Sequence, residues 1–371
     1  MIKVLVPVTY GELGGSQVFL LKLMDAMRTD GKIQFSVWLG ENGPLEDELV
    51  RRGISCRKPG FSMGNPVHLL RMIRALKKEQ PDVIYLHASR LVALAAKRAG
   101  IPCVERINMS RETNAGGWCG SPWIDRIFTS FNTRALAVSE AIRQQLLRRG
   151  VAPEKILVIR NFVELERFVR PNENVRAELR KALGLKPDEI AVLNVGRFMP
   201  QKAQDDFLRI AAETARTHPK LRFFLLGEGA LREKLEILTG ELGLRSVVTF
   251  LPFRKDTEKV YTAADILLHT AHWDPLANVL LEAMAASLPV IATDVDGTAE
   301  VILDGRTGRL FEKGDIAAGA GALRELADDP ALRKRLGADA RKFAEEHLSV
   351  RSVVDQYRHL FADLAGENMY E

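Results

Sequence analysis

The chain is predicted to be an α/β protein of two Rossmann-like domains, and three observations predict it. Strand-like and helix-like segments alternate along almost all of its 371 residues, the alternation starts afresh near the middle, and the length is enough for two separate cores. Such alternation indicates parallel sheets, because each parallel pair needs a crossover, usually a helix. In the first half, β-rich apolar runs fall near 2–8, 33–39, 82–87, 102–106 and 135–138. In the second they fall near 190–195, 222–226, 247–250, 265–269, 289–292 and 308–311. Residues 165–188, which contain RPNENVRAELRKALGLKPDE, carry polar, Pro and Gly signals and are expected to include the hinge. The expected domains are 1–167 and 168–349, with a final helix over about 350–371, where Val353, Val354, Tyr357, Leu360, Phe361 and Leu364 recur at helical spacing.

Composition sets the same frame. At 46% hydrophobic and 27% charged, the chain reads as an ordinary soluble protein. Cys56, Cys103 and Cys119 show no metal-like or paired spacing, so reduced thiols in a cytoplasmic protein are expected. MIKVLVPVTY is too short for a signal peptide and reads as the first strand, and no run of about 18 apolar residues offers a membrane span. Charge is uneven: 24 Lys and Arg face 15 Asp and Glu up to Leu165, against 29 and 33 in the remainder. Within the basic half, 67–78 (VHLLRMIRALKK) places Leu69, Ile73 and Leu76 on one helical face and Arg71, Arg74 and Lys78 on another. A helix of this kind reads first as a sheet-covering helix with a charged outer face, and it also suits an anionic membrane at the inner face of the cytoplasmic membrane. The basic residues are not interleaved with aromatics, so no nucleic-acid partner is expected.

The chemistry concentrates in residues 194–282. Arg197 and Lys202, in NVGRFMPQK, follow the buried-strand run 190–196 and precede the helix-like QDDFLRIAAETAR. They therefore fall at the carboxyl end of a strand, where open α/β sheets bind ligands. Arg offers a planar fork of donors and Lys a compact charge, a combination suited to a diphosphate. Two solvated charges on a turn would look the same.

An acidic pair sharpens this reading. Asp274 lies in the turn after the strand ADILLHT, and Glu282 lies inside a helix that starts near Asn278 and is ended by Pro289. Were all eight steps helical, the two acids would sit roughly 12 Å apart at ~1.5 Å per residue, able to hold opposite ends of one extended ligand. A nucleotide sugar has that form, and the helix start between the acids favours an anion there. Glu282 is flanked by Leu280, Leu281, Ala283 and Met284, a setting in which a carboxylate needs a partner.

These segments resemble the family 4 glycosyltransferases of the GT-B fold. The acid–seven residues–Glu pattern matches Asp274 to Glu282, and the GR-x4-K turn matches Gly196, Arg197 and Lys202. The resemblance continues through LLGEGALREKL (225–235), SLPVIATDVDGTAEVILDGRTGRLF (287–311) and VIRNFVELERF (158–168). It implies two Rossmann-like domains facing across a deep cleft, with the last helix crossing back to the first domain. It implies catalytic roles for Arg197, Lys202 and Asp274, and donor binding by Gly14, Gly15, Gly196, Leu251, Asn278, Val279 and Glu282. The first acid is usually Glu in the family, and Asp274 is one methylene shorter. Gly is usual where this chain has Ala203, Ser287, Asp296 and Phe162, and after the acid, where it has Pro275.

The first domain is less legible. Gly14 and Gly15 stand ahead of a helix, where absent side chains let backbone amides approach phosphate. His87 ends the strand VIYLH and reads either as a ligand-side group or as a structural histidine. Many family members carry a His where this chain has Asn108, and Asn cannot act as a general base. The loop 112–123 (ETNAGGWCGSPW) reads either as a mobile acceptor lid or as a plain irregular loop. Asp294 and Asp296 spell a DxD inside a turn, read as incidental, and no metal or other cofactor is expected.

The function that follows is a retaining glycosyltransferase of glycoconjugate synthesis, using a UDP-, GDP- or ADP-sugar and a sugar or lipid-linked sugar acceptor. Three alternatives remain at this level: a sugar-nucleotide epimerase of the same fold, a noncatalytic nucleotide-sugar binder and a nucleic-acid-binding protein.

Overall fold

The computed structural model describes residues 1–28, 31–87, 90–107, 127, 129–168 and 173–367. Asn108 and the loop 112–123 with Cys119 lie outside them. The chain forms two compact units, Met1–Asn161 with Arg351–Glu371, and Phe162–Val350.

In the first unit, β1 (Ile2–Val8), β2 (Ile33–Leu39), β3 (Ser55–Arg57), β4 (Val83–Leu86), β5 (Cys103–Ile107), β6 (Arg134–Ala137) and β7 (Ile156–Val158) form one parallel sheet in the order β3-β2-β1-β4-β5-β6-β7. Pairing is longest between β1 and β2, from Ile2 opposite Ile33 to Val8 opposite Leu39. Between the strands run α1 (Gly15–Met27), α2 (Pro44–Arg51), α3 (Leu69–Glu79), α4 (Arg90–Ala99) and α5 (Glu140–Arg148). β1 is buried except at Lys3, as a strand covered on both faces must be. Met72 and Leu76 bring α3 onto a core of Leu5, Trp38, Ile84 and Leu86. The short edge strands β3 and β7 were not expected from the sequence, since three residues give no periodic signal.

The second unit repeats the pattern. β8 (Ile190–Val195), β9 (Leu221–Leu226), β10 (Val248–Leu251), β11 (Ile266–His269), β12 (Val290–Thr293) and β13 (Gly308–Phe311) form a parallel sheet in the order β10-β9-β8-β11-β12-β13. Its helices are α6 (Glu173–Ala182), α7 (Gln204–Ala215), α8 (Arg232–Glu241), α9 (Thr257–Ala263), α10 (Asn278–Ala285), α11 (Ile316–Asp328) and α12 (Pro330–His347). Phe207, Phe223, Leu225 and Leu268 lie at the centre of its core. The sheet orders of the two units correspond, so β1 answers to β8 and β4 to β11.

The crossing between units falls after Asn161, ahead of the 165–188 segment in which the hinge was expected. The described residues of that segment, 165–168 and 173–188, are anchored by side-chain contacts. Phe168 packs edge-on against Tyr261 at 5.7 Å, Arg341 reaches the carbonyls of Leu165 and Phe168 at 3.3 Å, and Arg176 and Arg180 both pair with Asp265. Its polarity reflects ion pairs rather than a free linker. The return pass lies beside the outgoing one, with Val163 N–H donating to Leu348 O at 2.9 Å. The last helix, α13 (Val350–Ala365), then joins the first unit. Its Tyr357 packs on Phe19 and Tyr85, and its Phe361 on Phe35 and Tyr85.

Candidate functional site

Among the described residues, a set of chemistry-bearing side chains lies beyond the carboxyl ends of β8 and β11. After β8 the chain turns at Gly196, whose N–H bonds Leu226 O at 3.0 Å. The loop after β9 lies directly on this turn: Phe198 N–H bonds Glu228 O at 2.8 Å. A Cβ on Gly227 would collide with the Gly196 carbonyl, and one on Gly229 with that of Phe198. Glycine alone allows two backbones to approach this closely, which explains the LLGEG segment. Leu251, at the end of β10, accepts from Gly227 N–H at 3.1 Å and so belongs to the same group of loops.

The β8 loop is laced to the β11 loop. His272 N–H bonds Gln201 O at 2.9 Å, Gln201 Nε2 bonds Trp273 O at 3.0 Å, and Thr270 Oγ1 reaches the carbonyls of Lys202 and Ala203 at 3.2 and 2.9 Å. The result is an ion pair between Lys202 Nζ and Asp274 Oδ2, with the side chains 17% and 8% exposed. Burial opposes ionisation of Asp274, but the Lys202 charge and the adjacent His269 outweigh it and hold the carboxyl well below its ordinary range. His269 is the last residue of β11, 2% exposed, and its Nε2 lies 3.5 Å from the same Oδ2. Burial lowers the His269 pKa, with Asp274 pulling it up and Lys202 pressing it down. The sequence reading missed His269, because one histidine closing an apolar run looks like core.

The other expected residues are distributed around this pair. Arg197 is exposed, and its guanidinium is uncommitted among the described residues, while its carbonyl accepts from Gln204 Nε2 at 3.1 Å. Glu282 has the partner its apolar setting required: Tyr261 OH, from α9, donates to Oε2 at 3.0 Å. Burial, and then Glu282, push the Tyr261 phenol well above its ordinary pKa. α10 begins only at Asn278, so the eight steps from Asp274 to Glu282 are not all helical and the 12 Å figure for a continuous helix does not apply. Asn278 and Val279 form its first turn, and Ala277 provides no side-chain cap. In the first unit, Gly14 precedes α1 with its N–H on Gln17 Oε1 at 3.2 Å, and Gly15 is the helix's first residue. His87 is buried, with Nδ1 3.1 Å from Ser16 Oγ, and burial together with Arg106 lowers its pKa to about 3.

Three of the five residues that stand where the family usually has Gly have a backbone reason. Ala203, Ser287 and Asp296 hold φ of +44°, +57° and +42°, the left-handed region where glycine is favoured. Phe162 is not among the positive-φ residues. Asp294 is exposed. A cavity of about 480 Å³ opens at the amino ends of the strands, beside Asp265 and Pro289 ahead of β11 and β12, at the opposite end of the sheet from these loops.

Two units, each built on one parallel sheet with helices between its strands, fit the GT-B fold, which the likeness to solved structures shows. Residues 175–343 match the glycosyl transferases group 1 and residues 13–167 the glycosyltransferase family 4. The D-inositol 3-phosphate glycosyltransferase of Acidothermus cellulolyticus is 32% identical over 339 residues, covering 80% of this chain and 73% of that protein. The lipopolysaccharide core biosynthesis glycosyltransferase LpsD of Rhizobium meliloti is 28% identical over 369 residues, covering 95% of this chain and 96% of that one. The match to the D-inositol 3-phosphate glycosyltransferase of Streptomyces avermitilis, 36% identical over 60% of this chain, spans about half of that protein, 48%. Among solved structures, Anabaena HepE in complex with UDP superposes with a TM-score of 0.87 at 20% identity, covering 98% of this chain and 100% of that one. The chain belongs to the group 1, family 4 glycosyltransferases and is a glycosyltransferase.

Proposed function

We propose that the enzyme moves a sugar from a nucleoside-diphosphate sugar to a sugar or lipid-linked sugar acceptor of glycoconjugate synthesis, with retention at the anomeric carbon and without a metal ion. The observation that carries this reading is the Lys202–Asp274 pair, which joins a cation for the diphosphate to an acid for the sugar. Glu282, held by Tyr261, is the acid for the ribose hydroxyls. Lys202 Nζ has three N–H donors, so one bond to Asp274 leaves two for phosphate oxygens. Arg197 supplies a second cation, uncommitted among the described residues. Gly14, Gly15, Gly196 and the α10 start at Asn278 and Val279 would offer backbone N–H groups, and Leu251 a base-side surface.

The reaction breaks the anomeric C–O bond, leaving charge on the diphosphate and an oxocarbenium-like sugar. Arg197 and Lys202 stabilise the leaving group, and Asp274 holds the sugar hydroxyls. The acceptor oxygen attacks the face from which the diphosphate departs, and its proton passes to a diphosphate oxygen, so no protein base is needed at position 108.

The name of the Rhizobium relative favours a lipopolysaccharide-type acceptor, which would place the enzyme at the cytoplasmic side of a membrane. No helix among the described residues is long and apolar enough to cross one. Contact at the membrane surface would use 67–78, where Val67 and Leu70 are 83% and 68% exposed beside Arg71, Arg74, Lys77 and Lys78. Sedimentation with phosphatidylglycerol vesicles, set against phosphatidylcholine vesicles, tests that part.

Thermal shift with UDP, GDP, ADP, TDP and CMP on wild type and Lys202→Ala tests the donor assignment. One nucleoside diphosphate should stabilise the wild type and lose its effect in the variant. No response to any of the five counts against the reading. Unchanged turnover in excess EDTA is the expected result for the metal.

A further inference from the structure

We propose that His269 is a positioning residue for the transferred sugar. Its Nε2 and Lys202 together fix Oδ2 of Asp274, so that Oδ1 alone is offered to the donor's sugar hydroxyls. The inference rests on the reading of Asp274 as the sugar-binding acid and adds to it a residue that the acid–seven residues–Glu pattern does not contain.

Asp274 is a short acid for this position. One methylene fewer than Glu draws the carboxylate back toward its own backbone by about one C–C bond, roughly 1.5 Å. In that position it meets the end of β11 rather than open space. Lys202 Nζ and His269 Nε2 both approach Oδ2, the latter at 3.5 Å, and Oδ1 makes no hydrogen bond among the described residues. An acid held through one oxygen presents the other in a fixed direction.

The second observation is His269 itself. It is 2% exposed, and its Nε2 is buried with no hydrogen-bond partner within normal distance among the described residues. A buried polar nitrogen left in this state is destabilising. The acceptor next to it is Asp274 Oδ2, and 3.5 Å is a distance that small side-chain movement closes. Active-site hydrogen bonds are often long in the free enzyme and tighten when substrate binds. A ring that served only as core packing would be as well replaced by Leu, which fills the volume without stranding a nitrogen beside a carboxylate.

Binding distinguishes the two roles, because a positioning residue for the sugar should leave the nucleotide half of the donor alone. The full-length enzyme is titrated calorimetrically with UDP-glucose, UDP-galactose, GDP-mannose and ADP-glucose, and with UDP, GDP and ADP. For the donor that the wild type binds, His269→Leu should weaken the nucleotide sugar about tenfold, the scale of one hydrogen bond to a charged group, and leave the matching diphosphate unchanged. His269→Gln, whose amide can donate in place of Nε2, should recover most of that loss. Adding Asp274→Glu to His269→Leu should also recover it, since the longer acid does not need the histidine. Equal binding of the nucleotide sugar by His269→Leu and wild type overturns the inference, as does an equal loss of diphosphate and nucleotide sugar. If His269→Leu does not fold, His269→Gln decides alone, and a sugar-specific loss as large as that of Asp274→Asn overturns the positioning role. If the wild type binds none of these compounds, it is the proposed function that fails, a result distinct from either.

Discussion

His87 and His269 occupy corresponding places in the two units, and their neighbours make them different groups. Each stands at the carboxyl end of a strand in the same sheet position, β4 in one unit and β11 in the other, and each is buried. His87 meets a hydroxyl, Ser16 Oγ at 3.1 Å, and feels the Arg106 charge. Arg106 is itself buried, stacked on Phe19 at 4.1 Å and bonded to Asn161 and Tyr357 OH. His269 meets a carboxylate and a lysine already joined to each other. In the first unit the histidine is held through Nδ1 alone, its buried Nε2 having no hydrogen-bond partner among the described residues, and it stands beside a residue that holds the outgoing chain at Asn161 and the returning helix at Tyr357. In the second it touches the pair assigned to the donor. Position in a Rossmann-like unit is therefore not enough to assign a role; the charge next to the ring decides it.

The largest expected effect breaks the second-unit arrangement. Lys202→Ala removes a charge stabiliser for the leaving diphosphate, worth about 2.7–4 kcal/mol of activation free energy, so turnover of the donor should fall on the order of 10²–10³-fold in kcat. It also leaves Asp274 with His269 as its neighbour, so the His269 pKa should rise, which histidine NMR titration would read. A Lys202→Ala enzyme with normal kcat would place the diphosphate elsewhere.

The next effect tests the first-unit histidine. The His87 pKa of about 3 in the folded protein lies below the ~6.5 of an unfolded chain. The unfolded state therefore takes up a proton first, and the stability associated with a neutral His87 is complete above pH ~6.5 and is lost as pH falls from there toward 3. Calorimetry from pH 7 to 4.5 should show a melting temperature that falls with pH in the wild type and falls less steeply in His87→Gln. Parallel slopes would mean that His87 is not held neutral. His269 has the same sign, but Asp274 opposes the shift, so its substitution should change the slope less.

A smaller effect concerns the ribose-side acid. Tyr261→Phe removes the hydrogen bond to Glu282 Oε2 without removing the ring from its packing on Phe168. Loss of one such bond to a charged group is worth about 1.5–3 kcal/mol at most, and solvent can replace part of it at a half-buried carboxylate. Diphosphate affinity should drop several-fold, and a 2′-deoxy nucleotide should be affected less than its ribose form. An equal loss for both would detach Glu282 from the ribose.

How far the sequence carried these conclusions depends on the range of the signal. Strands such as β1 and β8 and the placement of Arg197, Lys202, Asp274 and Glu282 were legible because periodicity and motif spacing are local. Tyr261 was not, because it reaches Glu282 from a helix 21 residues earlier in the chain. His269 was written five residues ahead of Asp274, at the end of a strand, but only the folded loop shows that both approach the same lysine. The polar, Pro and Gly signals of 165–188 gave no sign that Arg176 and Arg180 pair with the partly buried Asp265, because that carboxylate lies 89 and 85 residues further along the chain.

The smallest expected effects lie in backbone strain, and they separate three residues that look alike in sequence. Ala203, Ser287 and Asp296 all sit at positive φ in the second unit, where a side chain costs about 1–2 kcal/mol relative to the right-handed region. Substitution by glycine relieves that strain but adds freedom to the unfolded chain, worth about 0.4–1 kcal/mol. Ser287→Gly should therefore give the clearest gain, because Ser287 is only half-buried and gives up little packing. Ala203→Gly should gain less, since Ala203 is 2% exposed and its methyl is worth up to about 0.8 kcal/mol of burial. Asp296→Gly should gain least, because Asp tolerates left-handed backbone through local hydrogen bonds. With about 2–4 °C per kcal/mol for a unit of this size, the order Ser287, Ala203, Asp296 should be resolvable in melting temperature. If Asp296→Gly instead stabilises most and donor turnover falls with it, the strain at Asp296 is maintained for catalysis, and the loop after β12 belongs with Asp274 and His269 in handling the sugar.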